Sequence, residues 1–149
     1  MMFDDLRDLY QETILDRGRR PRHGRKLAAF DATAKGDNPM CGDRCQVFVR
    51  RDAQGRVAEV GFEARGCAIS VASADLMADA VTGLGADDVR HLAEEFRGLV
   101  RTGQGDDPAL DALRPLAGVH EYPSRVKCAT LPWHALLAAL TGDTETSSE

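Results

Sequence analysis

The apolar residues of the chain follow two periodicities, and the change between them falls near residue 66. At the start, Leu6, Leu9, Tyr10, Thr13 and Ile14 recur at three- and four-residue intervals, which is the spacing of one helical face. A helix is therefore predicted over Phe3–Asp16, ended by Gly18 and Pro21. Alternation then takes over. Ala29–Lys35 sets Phe30, Ala32 and Ala34 on one side, Cys45–Arg51 (CQVFVRR) is rich in strand formers, and Val57–Ala64 sets Ala58, Val60 and Phe62 on one face. The turn formers Asp52–Gly55 join the last two as a hairpin, and Asn38-Pro39 disfavours helix before the first cysteine. Beyond Gly66 the helical spacing returns. Ala68–Val81 carries Ile69, Ala72, Leu76, Met77 and Ala80, and Asp87–Arg101 carries Val89, Leu92, Ala93, Phe96, Leu99 and Val100. A short helix is predicted over Ala109–Leu113, an extended segment around Tyr122-Pro123, and a last helix from Leu131 to Leu140 with Pro132 in its first turn.

A helix, three antiparallel strands and then a run of helices predict an α+β fold. A small three-stranded antiparallel sheet would carry helices packed on one face. With no internal repeat and no linker, residues 1–142 read as a single domain and 143–149 (DTETSSE) as a disordered acidic tail.

Composition narrows the functional classes. The 149 residues are 43% hydrophobic and 29% charged, with a formal net charge of −5, which argues against a general nucleic-acid binder. No stretch approaches the ~18 apolar residues of a membrane span. The N-terminus MMFDDLRDLY carries early acids and no apolar core of a signal peptide, which points to the cytoplasm. One stretch departs from the acidic average: Arg17–Lys26 (RGRRPRHGRK) holds six Lys/Arg and no acid. It suits a solvated turn after the helix, a contact with RNA or a membrane, or a docking patch for an acidic partner.

Four cysteines, Cys41, Cys45, Cys67 and Cys128, read in a reducing compartment as metal or catalytic chemistry before disulfides. No CxxC pair occurs among them, so neither a zinc ribbon nor a thioredoxin motif is present. Cys41 sits in a turn (NPMCGD), Cys67 between a strand end and a helix start (RGCAIS), and Cys128 just before the predicted last helix (RVKCA). Turns and helix starts expose a thiol and offer backbone N–H groups that favour thiolate, whereas buried core cysteines remain the alternative. Asp43 follows Cys41 by two residues, so an extended backbone puts both on one side and completes a Cys₃Asp set with Cys67 and Cys128. Such a set suits tetrahedral zinc and leaves a net charge of about −2, which Arg125 and Lys127 are placed to offset. His23, His91, His120 and His134 show no partner at ligand spacing and read as surface or capping residues.

LYQETILDRGRRPRH, GDNPMCGDRC, FEARGCAISVASADLM and SRVKCATLPWHAL together resemble the SufU/IscU (NifU N-terminal-like) family of iron–sulfur cluster biogenesis proteins, from about Leu9 to Leu140. The resemblance implies Cys41, Asp43, Cys67 and Cys128 as metal ligands. Two features resemble the SufU branch: Lys127 stands where IscU proteins carry a His before the last cysteine, and GQGDDPALDALRPLAGVHEYP resembles the SufU insertion. The expectation is a zinc-dependent sulfur carrier. It would take persulfide sulfur from a PLP-dependent, SufS-like cysteine desulfurase on Cys41 and pass it to downstream iron–sulfur assembly proteins, with the basic Arg17–Lys26 stretch and His23 on the docking face. The alternatives are a scaffold building a [2Fe–2S] cluster, or holding iron, on the same ligands, and a structural zinc module that recruits partners. Cys45 falls where relatives carry an apolar strand residue and reads as core packing, yet on an extended strand it shares a face with Cys41 and Asp43 and could compete with Asp43 for a metal.

Overall fold

The computed structural model describes residues 2–40 and 42–147. Helix α1 (Met2–Arg19) leads through an irregular segment into strands β1 (Ala32–Asn38), β2 (Asp43–Arg51) and β3 (Val57–Arg65). Helices α2 (Ala68–Val81) and α3 (Ala86–Thr102), a 3₁₀ helix (Pro108–Glu121), helix α4 (Pro123–Thr141) and a short strand β4 (Glu145–Ser147) follow. The sheet order is β3-β2-β1-β4. The first three strands form the expected antiparallel meander, with Val47 opposite Ala34 and Phe62, and Cys45 opposite Gly36 and Ala64.

The odd residues of β2 face the helices. Cys45, Val47 and Val49 join Val60 and Phe62 of β3 in the core, against Met77 and Val81 of α2 and Leu131 and Leu136 of α4. Each such fully buried side chain contributes about 1.5–3 kcal/mol. Helix α4 lies on β1 and β2, α2 lies beside it, and α1, α3 and the 3₁₀ helix form an outer layer. The opposite sheet face is partly covered by the segment after α1. Leu27 is buried there, and Phe30 packs edge-on against Phe48 at 5.0 Å between ring centroids. Strand β3 is also tied outside the sheet, where the Phe62 N–H donates to the His23 carbonyl at 3.1 Å and Val57 exchanges backbone hydrogen bonds with Gly83 and Leu84 at 2.7 and 2.8 Å.

The structure corrects several expectations. The sheet has four strands instead of three: Glu145–Ser147, within the stretch read as a disordered tail, pairs parallel with Lys35–Asp37 and covers the β1 edge. Strand β1 runs three residues later than predicted, because Pro39 and the turn after it, not Lys35, end the pairing. The short helix predicted over 109–113 is a 3₁₀ helix of 14 residues. Its buried residues Leu110, Leu113, Leu116 and Val119 recur every third position, which places them on one face only at three residues per turn. Helix α4 starts at Pro123, eight residues before the predicted start, so Pro132 lies in its interior rather than in its first turn. Pro132 has no N–H to offer the Cys128 carbonyl, and beside this break the Ser73 hydroxyl of α2 donates to the Ala129 carbonyl at 2.5 Å.

Candidate metal centre

Three of the four expected ligands meet at the end of the sheet nearest the α2 N-terminus. One donor atom each from Asp43, Cys67 and Cys128 lies within 4.8 Å of the others. Asp43 opens β2 with its side chain on the helix-facing side, 3% exposed. Cys67 is the N-cap residue of α2. Cys128 lies in the second turn of α4, 1% exposed, so it is a buried helical residue and not the exposed helix-start residue predicted. Cys41 lies outside the described residues. Its neighbours Met40 and Gly42 in the β1–β2 turn are exposed, Met40 by 77%. The turn is held by the Gly42 N–H on the Asn38 carbonyl (2.8 Å) and by the Met40 N–H on the Asn38 side chain (3.2 Å). Gly42 has φ +76°, a conformation that glycine adopts without strain.

The Asp43 carboxylate is oriented by Cys67. It accepts the Cys67 N–H at 3.2 Å with one oxygen and the Cys67 thiol at 3.8 Å with the other. Gly66 makes this possible, since a Cβ there would overlap the Asp43 carboxylate. The Cys128 thiol donates to the Ser124 carbonyl at 3.8 Å. Arg125 supplies the compensating cation. Hydrogen bonding to Cys128, the charges of Cys67 and Cys128, and a further hydrogen bond to Cys67 hold its pKa above the usual arginine value. Lys127, the other cation expected there, is exposed.

The donor set fits zinc. Tetrahedral Zn–S and Zn–O bonds require S···O and S···S separations of about 3.5 and 3.8 Å, and the Cys67–Asp43 pair stands at 3.8 Å. Cys45 is not in the cluster. It is 2% exposed among Val47, Val60 and their neighbours, and burial pushes its thiol up to about 12.

Three of the histidines have polar neighbours in space. His23 bonds Asp79 at 2.7 Å, and His120 bonds the Ala117 carbonyl at 2.8 Å. His91 meets Glu95 and Asp107 in a second convergent group, whose sequence signal was the four-residue spacing of His91 and Glu95 on one helix. The basic stretch is partly consumed internally. Arg17 bonds the buried Asp75 at 2.7 Å and Asp79 at 2.8 Å, and the His23 N–H bonds Asp75 at 2.8 Å. Burial pushes the Asp79 carboxyl up, but the hydrogen bonds from His23 and Arg17 outweigh it and hold the group below its ordinary value. Arg19 and Arg22 remain exposed and form no ion pair among the described residues.

The fold and site define a small α+β domain that gathers cysteine thiols and one carboxylate from three separate elements. The chain belongs to the NifU-like N-terminal domain family, whose model matches residues 9–129. It is 36% identical to the iron–sulfur cluster assembly scaffold protein IscU of Streptococcus pyogenes serotype M1, over 94% of this chain and 87% of that protein. It is 33% identical to the zinc-dependent sulfurtransferase SufU of Bacillus subtilis, over 89% of each chain. The crystal structure of FiSufU from Fervidobacterium islandicum AW-1, described as an iron–sulfur cluster assembly scaffold protein for the SUF system, superposes with a TM-score of 0.80. That match has 29% identity and covers 87% of this chain and 94% of that one. Among the described residues no helix is long and apolar enough to cross a membrane.

Proposed function

We propose that this protein is a zinc-dependent sulfur carrier of iron–sulfur cluster assembly in the cytoplasm. Its sulfur donor would be a cysteine desulfurase and its acceptors downstream assembly proteins. The observation that carries the reading is the Asp43–Cys67–Cys128 cluster, in which Asp43 and Cys128 are buried, with Arg125 against its sulfurs, next to the exposed Met40 and Gly42 that flank Cys41 in the chain. Zinc bound by Cys41, Asp43, Cys67 and Cys128 would supply deprotonated thiolates held in fixed geometry. Asp43, Cys67 and Cys128, set on packed elements, hold the site. Cys41, on the turn, is the acceptor. Its thiolate attacks the outer sulfur of a donor persulfide, a new S–S bond forms at Cys41, and the donor cysteine leaves as thiolate. Arg19, Arg20 and Arg22 offer an acidic partner the exposed part of the basic segment, whose path is fixed by the Arg17 and His23 contacts to α2.

The scaffold reading rests on the same ligands and on the IscU relative. Lys127 favours the carrier, because an ammonium is not a ligand at the position where the family's scaffolds place a histidine. Metal analysis and anaerobic spectroscopy of the untagged protein test the choice. One zinc in a colourless protein that accelerates a desulfurase supports the carrier, and a brown protein with iron and sulfide supports the scaffold. Charge reversal at Arg19, Arg20 and Arg22 should slow association with the desulfurase and weaken its salt dependence.

A further inference from the structure

Ser70 lies one turn into α2, and its side-chain hydroxyl is fully buried without a hydrogen-bond partner among the described residues. A native fold rarely leaves such a group unpaired. Its neighbours on the same helix fix what it faces. Cys67, three residues before it, has its sulfur within 4.8 Å of that of Cys128, and Ser73, three residues after it, bonds the carbonyl of Ala129. At 3.6 residues per turn Ser70 points between those two directions, toward the turn of α4 that carries Cys128 and Ala129. In this structure both described ligand cysteines are hydrogen-bond donors: Cys67 to the Asp43 carboxylate and Cys128 to the Ser124 carbonyl. A thiol sulfur is a poor acceptor. Coordination removes the S–H proton, and a thiolate accepts strong charge-assisted hydrogen bonds.

We propose that Ser70 is a positioning residue of the thiolate site, its hydroxyl donating to the Cys128 sulfur when that sulfur is a metal-bound thiolate. Coordination would turn the Cys128 sulfur, already hydrogen-bonded by Arg125, into the stronger acceptor that the buried Ser70 hydroxyl lacks. The inference rests on the reading that this cluster binds a metal.

The experiment compares the full-length protein with Ser70→Ala and Ser70→Thr. Zinc affinity is measured by chelator competition, melting temperature is measured with and without metal, and the absorption of the Co²⁺-substituted site is recorded. Ser70→Ala should melt no lower than the parent without metal, since it removes an unpaired buried hydroxyl, yet bind zinc about 5- to 20-fold more weakly. Its sulfur-to-Co²⁺ charge-transfer band should shift to lower energy. Ser70→Thr, which keeps the hydroxyl, should restore the parent's affinity and band. Parent-like affinity and spectrum in Ser70→Ala overturn the proposal. So does a lower metal-free melting temperature, which would show the hydroxyl holding the fold rather than the thiolate. Failure of the site reading itself looks different: the parent would take up no zinc and show no thiolate band with Co²⁺.

Discussion

Among the described residues two groups of potential metal ligands each converge within 4.8 Å, and their chemistry differs. Asp43, Cys67 and Cys128 come from β2, α2 and α4, and His91, Glu95 and Asp107 come from α3 and the loop after it. In the first group Asp43 and Cys128 are buried, the donors are soft sulfurs with one carboxylate, and Arg125 balances the charge. In the second, His91 is 63% exposed and Asp107 is already committed. One Asp107 oxygen caps the 3₁₀ helix at the Ala109 N–H (2.9 Å), the other meets His91 (3.1 Å), and Arg114 binds the Gly105 and Asp107 carbonyls of the same loop. The second group is a surface hydrogen-bonded pair that closes a loop, and solvent competes for it. Convergence of donor atoms is therefore a weak criterion by itself. Burial, donor softness and freedom from other duties separate the two.

The sharpest test of that contrast removes a ligand from each. Cys67→Ser or Cys128→Ser should cut zinc content well below one per chain and lower the melting temperature of the metal-loaded protein, whereas His91→Ala should leave zinc content at the parent level. Structural zinc contributes on the order of 10 kcal/mol in small domains that are unfolded without it. The core of this larger chain should survive chelation with a lower melting temperature. Elemental analysis and thermal unfolding decide, and the reverse pattern would break the comparison.

Gly66→Ala should come next in size. Its Cβ displaces the Asp43 carboxylate, and a tenfold or greater loss of zinc affinity, about 1.4 kcal/mol or more, is expected by chelator competition. Cys45→Ser should retain full zinc and lose ~1–3 kcal/mol of stability in denaturant titration, from burying a hydroxyl in an apolar site. Loss of zinc in Cys45→Ser with retention in Asp43→Ala would mean that Cys45, not Asp43, is the ligand.

The smallest effect belongs to the surface group and shows only in acid. The N–H of Ala109 and the His91 ring hold the Asp107 carboxyl below its ordinary value. A carboxylate depressed in the folded state contributes stability that is present above its unfolded value near 3.8 and is lost as pH falls through its folded value. Asp107→Asn keeps a good capping side chain but removes the charge. Its melting temperature should therefore fall less steeply than the parent's between pH 5 and pH 3, with zinc content at neutral pH unchanged.

Much of this was legible in the order of residues. The strand formers of CQVFVRR announce β2, the family resemblance makes Cys45 core packing, as its 2% exposure bears out, and Asn38-Pro39 marks the turn after β1. Cys128 was misplaced because Pro132 was read as a helix start. A proline at that site is tolerated inside α4, where Ser73 of another helix serves the neighbouring carbonyl, and no local pattern announces that. The 3₁₀ helix was missed because a strict three-residue repeat of leucines fits the α-helical template for only about one turn. The pairing of Arg17 and His23 with Asp75 and Asp79 spans more than 50 residues and is a product of tertiary packing alone.

The origin of the ligands in three distant elements has a kinetic consequence. Asp43 and Cys67 are 24 residues apart, and Cys128 lies far beyond both, on the last helix. An ion held by all of them closes loops of the size that disulfides close, and a link across about 60 residues restricts the unfolded chain by on the order of 4 kcal/mol in the chain-entropy picture. The full ligand set is complete only after α4 has docked on the sheet, so capture of an ion by all of it would belong to the end of folding. A nascent chain released before α4 is complete would carry Asp43 and Cys67 without Cys128. Metal uptake during synthesis would then report completion of the C-terminal helix, one ribosome at a time.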